Sequence, residues 1–114
     1  MALQQHLQIE SRREGDVVVV TLRGELDLAS SPLFESEIER PEVATCPKLV
    51  LDLENLQFID STGLRIIFSA HARAEERDQQ FAVTRGSEQV QRLLDITRVG
   101  QHMRVVSSPQ ELLD

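Results

Sequence analysis

Residues 48–64 of the chain read KLVLDLENLQFIDSTGL, and this stretch combines a strand, a junction and the start of a helix. Its first residues, 48–53, form a nearly continuous apolar run, which is typical of a strand covered on both faces. From Ser61 onward the spacing changes to that of one helix face, with apolar or aromatic side chains at Leu64, Ile67, Phe68 and His71. A buried strand that leads into an amphipathic helix predicts an α/β fold.

Four further strands are predicted around this unit. Residues 17–22 (VVVVTL) form a largely β-branched run that predicts a central strand. Before it, residues 7–10 alternate between apolar and polar, and the glycine-containing loop at residues 13–16 predicts a hairpin between the two strands. Residues 81–84 and 103–106 are shorter apolar stretches of the same type.

Three helices are predicted besides the one that follows the buried strand. The first begins at the pair Ser31-Pro32, a capping hydroxyl followed by proline at the first helical position, and it ends before Pro41. The next has Ser87 as its cap, and the last is a short helix opened by a capping box at residues 108–111. The apolar face of the first helix is predicted to include Leu33, Phe34 and Ile38.

The predicted elements follow one another in the order β, β, α, β, α, β, α, β, α. Strands that alternate with helices are joined by right-handed crossovers and lie parallel, whereas the opening hairpin is antiparallel. The sequence therefore predicts a single α/β domain over residues 1–114, with a mostly parallel mixed β-sheet, an N-terminal hairpin and about four helices. No linker, repeat or low-complexity tract divides the chain.

The composition is that of an acidic protein with an ordinary share of apolar residues. Of 114 residues, 12 are Lys or Arg and 19 are Asp or Glu, which gives a formal net charge of −7. Such a chain lacks the positive surface by which proteins bind nucleic acid. No apolar run approaches the roughly 20 residues of a membrane span, and residues 1–10 lack the features of a signal peptide. We therefore expect a cytoplasmic protein without nucleic-acid or membrane partners.

Motifs for catalysis and cofactor binding are missing from the sequence. Cys46 is the single cysteine, and the three histidines lack the spacing of metal ligands. There is no Walker A loop and no glycine-rich dinucleotide turn, and Ile59 stands where a nucleophile elbow around Ser61 requires glycine. We expect neither an enzyme nor a metal or cofactor site.

The junction before the second long helix has two interpretations. Asp60 or Ser61 can act as the N-cap, because the first N–H groups of a helix have no internal partner. Alternatively, the Ser61 hydroxyl is exposed at a strand-to-helix corner, where the positive end of the helix dipole favours an anion such as phosphate. In this second interpretation Gly63 keeps the first turn free of bulk, so that another protein can reach the hydroxyl.

Several other polar residues also keep two interpretations. The carboxylates of Asp27 and Asp60, both near predicted strand ends, are either an acid/base pair or two solvated loop acids. Ser30 and Ser31 are either helix caps or additional phosphate acceptors. His71 is either a half-buried imidazole or a ligand-binding side chain, and Phe58 and Ile59 are either core residues or a surface that a partner covers. The arginines of the second long helix form either a solvated face or a docking surface: Arg65, Arg73 and Arg77.

Four motifs together resemble one known family. They are GELD at residues 24–27, the buried strand at residues 50–53, FIDSTGL at residues 58–64 and the apolar segment at residues 90–96. GELD and DSTGL occur together about 33 residues apart, and the pair is far more specific than either motif alone. On these motifs, nearly the whole chain resembles a STAS domain of the stand-alone bacterial anti-sigma factor antagonist kind.

The resemblance implies a partner-switching cycle. The unmodified antagonist binds an anti-sigma factor, which is also a serine kinase, and thereby releases a sigma factor. The kinase phosphorylates the serine that follows the aspartate of the motif, here Ser61, and a phosphatase reverses the modification. Thr62 is the less favoured neighbouring acceptor. The residues implied in partner binding are Asp27, Phe58, Asp60, Thr62, Gly63 and Leu64.

One departure from the family pattern and one alternative function accompany the resemblance. Many relatives carry glycine after the threonine that ends the third predicted helix, whereas this chain has Thr97-Arg98, with Gly100 two places later. The departure concerns the shape of that loop. The alternative is a STAS-like binding or scaffold subunit of a signalling or lipid-transport complex that is not phosphorylated.

Overall fold

The described part of the chain, residues 6–112 of the computed structural model, consists of one β-sheet with α-helices and two 3₁₀ turns. The strands are β1 (Leu7–Glu14), β2 (Val17–Leu26), β3 (Lys48–Asp52), β4 (Leu56–Ile59), β5 (Gln80–Thr84) and β6 (Arg104–Val106). The helices are α1 (Ser31–Ile38), α2 (Pro41–Ala44), α3 (Ser61–Glu76) and α4 (Glu88–Ile96), and the 3₁₀ turns are Val99–Gln101 and Pro109–Leu112. None of the helices in this part of the chain is long and apolar enough to cross a bilayer.

The strands form one mixed sheet in which the opening hairpin is antiparallel. β1 pairs with β2 from Leu7 opposite Gly24 to Glu14 opposite Val17, and the other pairings among the described strands are parallel. The strand order is β1-β2-β3-β5-β6, and β4 also pairs with β2. The predicted fold class, an α/β fold with a mostly parallel sheet and an N-terminal hairpin, is confirmed.

β2 pairs with two parallel neighbours in succession. Its first half lies beside β3, and residues 24–26 lie beside β4, with a shift in register between Gly24 and Glu25. Gly24 has a φ of +94°, and a Cβ there would lie 2.1 Å from the carbonyl oxygen of His6, so this bend requires glycine. The ends of β2 and β4 are joined by a hydrogen bond in which the Asp60 N–H donates to the Leu26 carbonyl at 3.3 Å.

Three elements differ from the prediction. β4 is missing from the prediction because only the first and last residues of LQFI are buried, so the segment lacks the alternation of a half-buried strand. The short helix α2, which begins at Pro41, is also unpredicted. The predicted fourth helix is a 3₁₀ turn, in which one half of the predicted capping box forms: the Glu111 carboxylate accepts a hydrogen bond from the Ser108 N–H at 3.2 Å.

The α-helices pack on one face of the sheet and leave a smaller apolar cluster on the other. Val18 and Val20 of β2 face the larger cluster, which includes Phe34 of α1 and Ile67 of α3. The alternate β2 residues face a second cluster that also contains Val50, Ala82, Val106 and Leu112. The prediction that β2 is covered on both faces is therefore confirmed.

The loop after α4 keeps a glycine-like backbone although it carries arginine. Arg98 has a φ of 58° and a ψ of 42°, which is the left-handed conformation. This conformation costs a residue with a Cβ roughly 1–2 kcal/mol, whereas glycine adopts it freely. The departure at Thr97-Arg98 thus adds backbone strain to the loop but keeps the left-handed conformation that glycine favours.

Candidate functional site

The corner between β4 and α3 is built around Asp60. Asp60 is the N-cap of α3, and its Oδ1 accepts a hydrogen bond from the Gly63 N–H at 2.8 Å. Its Oδ2 accepts a second hydrogen bond from the Leu28 N–H at 3.3 Å, which comes from the loop after β2. Of the two predicted N-caps, Asp60 is confirmed and Ser61 is the first helical residue. The Asp60 carboxylate therefore both starts the helix and ties two loops together.

Ser61 presents its hydroxyl at the surface of this corner. The residue is exposed, and Thr62 beside it is partly buried. Because Asp60 already caps the helix, the Ser61 hydroxyl is not needed for that role, and within residues 6–112 it has no hydrogen-bond partner. The arrangement leaves a neutral, unengaged oxygen where another protein can reach it.

Gly63 is required by packing rather than by access to Ser61. Gly63 is buried, and a Cβ on it would lie 2.3 Å from the Leu26 carbonyl oxygen and 2.9 Å from Cγ1 of Ile59. Real Cβ atoms do not approach backbone oxygens so closely, so only glycine lets the first turn of α3 rest against β2. Leu64 is buried in the main core. Gly63 and Leu64 therefore position the corner from beneath, and their part in partner binding stays a prediction.

The loop after β2 is a closed turn held by its own side chains. Asp27 Oδ1 accepts a hydrogen bond from the Ser30 N–H at 3.0 Å. The Ser30 hydroxyl accepts from the Asp27 N–H at 2.9 Å and lies 2.8 Å from the Glu25 carbonyl, to which it donates. Ser31 is the first residue of α1 and donates its hydroxyl proton to the Leu28 carbonyl at 3.2 Å. The predicted capping of α1 by the Ser31 hydroxyl is wrong, because this hydroxyl stabilises the preceding turn.

The loop after β2 and the corner between β4 and α3 lie next to each other, as expected for segments that follow parallel strands at the same edge of the sheet. The hydrogen bond from the Leu28 N–H to Asp60 connects the GELD turn to the corner that carries Ser61. Asp27 and Asp60 each accept hydrogen bonds from backbone N–H groups, so both carboxylates have structural roles. No group of three or more His, Cys, Asp or Glu side chains within residues 6–112 is arranged to hold a metal ion.

Three exposed apolar side chains belong to the segments around this corner, and we call them the apolar rim. They are Leu28 in the GELD loop, Leu33 on α1 and Phe58 on β4, with 69%, 42% and 46% of their surfaces exposed. The sequence left Phe58 and Ile59 open between the core and a surface covered by a partner, and the structure exposes Phe58 and buries Ile59. Leu33, predicted on the apolar face of α1, is exposed. Leu28 could have been recognised as an apolar residue in an otherwise polar turn. Exposed large apolar side chains in neighbouring segments are candidates for contact with another protein.

Two other polar residues have structural partners. Ser87 stands at the N-cap position of α4, but its hydroxyl donates to the Leu56 carbonyl at 2.7 Å and so ties α4 to β4. His71 of α3 is partly buried and packs edge-to-face on Phe81, with ring centroids 5.3 Å apart. The interpretation of His71 as a packed, half-buried imidazole is supported.

The basic residues of α3 divide into two groups. Arg73 and Arg77 both bind Glu39, the residue after α1, with nitrogen to oxygen distances of 3.0 and 2.8 Å. The hydrogen bond from Arg77, aided by the charges of both arginines, lowers the pKa of the Glu39 carboxyl. These two arginines therefore connect α1 to α3. Arg65, one turn after Ser61, is exposed and makes no ion pair within residues 6–112.

The lowered pKa of Glu39 makes its contribution to stability dependent on pH. Because the folded state binds the Glu39 proton more weakly than the unfolded state, the stabilisation is present above the unfolded pKa and is lost as the pH falls through the folded pKa. We expect Glu39→Gln to lower the free energy of unfolding by less than about 1 kcal/mol at pH 7, since the pair is partly exposed. Urea unfolding at pH 7 and pH 3 measures the difference, which should shrink at pH 3. Glu54→Gln, at an exposed glutamate, is the control, and a Glu39 effect that is equal at both pH values would contradict this account.

Comparison with known proteins points to one family. The family model of the STAS domain matches residues 8–112. The chain is 34% identical over 93 residues to an anti-sigma F factor antagonist of Paenibacillus polymyxa, and the match covers 81% of this chain and 80% of the relative. It is also similar, at 26% identity over 100 residues, to anti-sigma-B factor antagonists of Staphylococcus aureus, covering 88% of this chain and 93% of theirs. These names describe antagonists rather than enzymes, in agreement with the expectation that the chain is not an enzyme.

Solved structures with the same fold include two that bear on the site. A crystal structure of an anti-sigma factor antagonist from Mycobacterium paratuberculosis superposes with a TM-score of 0.83 at 22% identity, over 94% of this chain and 91% of that one. The Bacillus cell fate determinant SpoIIAA in its phosphorylated form superposes with a TM-score of 0.68 at 19% identity, over 93% of this chain and 96% of that one. At these identities the superpositions establish the shared fold.

Proposed function

The chain belongs to the STAS domain family, and we propose that it is an anti-sigma factor antagonist whose binding is switched by phosphorylation of Ser61. In the unmodified form it binds an anti-sigma factor that is also a serine kinase, and it thereby releases a sigma factor. Phosphate on Ser61 ends this binding, and a phosphatase restores it. Because sigma factors act in transcription inside the cell, the proposal places the chain in the cytoplasm.

The observation that carries the proposal is the unengaged Ser61 hydroxyl beside the apolar rim. Exposed apolar residues lie next to this hydroxyl in the chain or across the corner: Phe58 precedes Ser61 by three residues, and the Leu28 N–H binds Asp60. A neutral hydroxyl in such surroundings suits a surface that is covered by a partner, because little polar surface must be desolvated. The same hydroxyl is exposed enough to enter the active site of a kinase. That the structural neighbour SpoIIAA has a phosphorylated form lends support to this assignment.

Charge supplies the physical basis of the switch. Phosphorylation adds about −1.5 to −2 charges to Ser61, beside the Asp60 carboxylate and in a chain that already carries a net charge of −7. A dianion that must lose its water at an apolar interface weakens the complex. The fold itself tolerates the phosphate, because the N-terminus of a helix favours negative charge. We therefore expect the modification to change the affinity for the partner and to leave the domain folded.

The direct test is modification by the cognate kinase. The chain is incubated with ATP and the anti-sigma factor, and intact-mass spectrometry followed by peptide mapping locates the phosphate. We expect one phosphate on Ser61, no phosphate on the Ser61→Ala variant and an unchanged result for Thr62→Ala. If no phosphate appears and the chain instead copurifies with a membrane transporter, the proposal is replaced by the scaffold function.

A second prediction concerns the apolar rim. Leu28→Ser should weaken binding of the unmodified chain to the anti-sigma factor by about tenfold, since buried apolar anchors dominate interface energies. The Leu28 side chain is 69% exposed, so the fold and the backbone hydrogen bond to Asp60 should survive the change. Calorimetric titration measures the affinity.

The matched control for the rim is Ile96→Ser. Ile96 is 70% exposed, as Leu28 is, but it is the last residue of α4, about 12 Å along the helix axis from Glu88 at its start. We expect its substitution to change the affinity by less than twofold. Equal losses of affinity for Leu28→Ser and Ile96→Ser would show that the apolar rim does not contact the anti-sigma factor.

A further inference from the structure

We propose that Arg65 is the intramolecular partner of the phosphate on Ser61. In this account the Arg65 guanidinium binds the phosphoryl oxygens and holds the modified side chain along α3. The inference rests on the proposed phosphorylation of Ser61 and adds a residue that regulates the modified state. It is derived from the position of Arg65 on the helix and from the partners of the charged groups around it.

The helix geometry places the two side chains together. Ser61 is the first residue of α3 and Arg65 is the fifth, so the pair has the i, i+4 spacing at which side chains are neighbours, with Cβ atoms about 5–6 Å apart. Side chains on an α-helix lean toward its N-terminus, so the long Arg65 side chain inclines toward Ser61. An acidic group followed by a basic group four residues later is also the favourable order for such a pair. Phosphorylation converts Ser61 into that acidic group.

The surrounding charges leave Arg65 available. Arg73 of α3 and Arg77, the residue that follows α3, are bound to Glu39. The nearest carboxylate in sequence, Asp60, uses one oxygen for the Gly63 N–H and the other for the Leu28 N–H. Arg65 is exposed and makes no ion pair within residues 6–112, so it can turn to a new anion without breaking an ion pair there.

The flanking helical positions support the same assignment. Leu64 and Ile66 are buried and point into the core, so neither competes for the surface above Ser61. Arginine suits the role because its planar guanidinium can donate two parallel hydrogen bonds to a phosphate, which the ammonium group of lysine cannot do. Arg65 would therefore lower the proton affinity of the phosphate and keep it in the dianionic form near neutral pH.

The test measures the second ionisation of the phosphate by ³¹P NMR. Phosphoserine is installed at position 61 of the full chain by genetic encoding, so that neither the kinase nor the anti-sigma factor is needed. We expect Arg65→Gln to raise the second pKa of the phosphoserine by about half a unit. Arg65→Lys should recover part of the shift. The control is Arg92→Gln, which removes an exposed arginine from α4 and should leave the pKa unchanged.

The outcomes separate this inference from the proposed function. If Arg65→Gln and Arg92→Gln give the same phosphate pKa as the unsubstituted phosphoprotein, Arg65 does not bind the phosphate and the inference fails. The affinity of the phosphoserine chain for the anti-sigma factor is measured in parallel with Arg65 intact. An affinity equal to that of the unmodified chain rejects the switch, whatever the NMR result.

Discussion

Phosphorylation of Ser61 will weaken binding of the anti-sigma factor by about a hundredfold, and Ser61→Glu will weaken it by about tenfold. The hundredfold loss corresponds to about 3 kcal/mol of interface free energy, which is the range expected when a charged group must lose its water in a contact built for a neutral one. Glutamate has half or a little more of the phosphate charge and fewer acceptor oxygens, so its effect is smaller. Ser61→Ala should bind as tightly as the unmodified chain and should no longer respond to the kinase.

Ser61→Gln is the matched control for the glutamate variant. Glutamine has the size of glutamate without its charge, so it separates electrostatic repulsion from steric obstruction. We expect Ser61→Gln to bind several times more tightly than Ser61→Glu, in titration calorimetry at low and at physiological salt. Equal affinities of the alanine, glutamate and phosphorylated forms would reject the switch, and equal affinities of the glutamine and glutamate variants would show that bulk rather than charge is responsible.

Gly63→Ala will destabilise the domain by about 3 kcal/mol, which is at the upper end of the cost of overpacking a tight contact. The added methyl group would meet the Leu26 carbonyl oxygen at 2.3 Å, and a backbone oxygen cannot move aside as a flexible side chain can. To relieve the clash, α3 must move away from β2 and strain the hydrogen bonds of Asp60 that join the two loops. Thermal and urea unfolding measure the loss, which corresponds to roughly 10 °C in melting temperature for a chain of this size.

Gly100→Ala is the control for this variant. Gly100 is exposed, and the nearest atom to a Cβ there is Cγ2 of Val105 at 3.8 Å, an ordinary van der Waals contact. Its substitution should change the free energy of unfolding by less than about 1 kcal/mol. If Gly63→Ala is tolerated as well as Gly100→Ala, the contact between α3 and β2 is looser than the distances indicate. The packing of Gly63 would then not hold Ser61 rigidly in place.

The elements that the sequence predicted well are those with a long and regular apolar pattern. β2 and α3 combine continuous or helical apolar spacing with clear ends, and Asp60 is a strong N-cap by residue type alone. The elements that were missed are short: β4 has two buried residues, and α2 has four residues in total. Local pattern does not determine such segments, because their hydrogen bonds and burial depend on neighbours distant in the chain.

At the candidate site, residue identity was predicted more successfully than role. The sequence singled out Ser61, Asp60 and Asp27, but it treated Gly63 as a means of access and placed Leu33 in the core. Both differences have the same origin. The burial of Gly63 in α3 and of Leu33 in α1 depends on which face of the first helical turn packs against the rest of the fold. The close approach to the Leu26 carbonyl involves residues 37 positions apart, and only the folded chain brings them together.

The sequence by itself determined the α/β class, the opening hairpin and a helix that starts at Asp60 or Ser61, because these depend on periodicity and on local backbone preferences. The tertiary structure alone decided that β2 pairs with β4 after its bend, that Leu28 and Phe58 are exposed in segments next to Ser61, and that Arg65 has no acidic partner within residues 6–112. These features depend on distances between parts of the chain that are remote in sequence, and such distances are fixed only when the sheet and helices pack together.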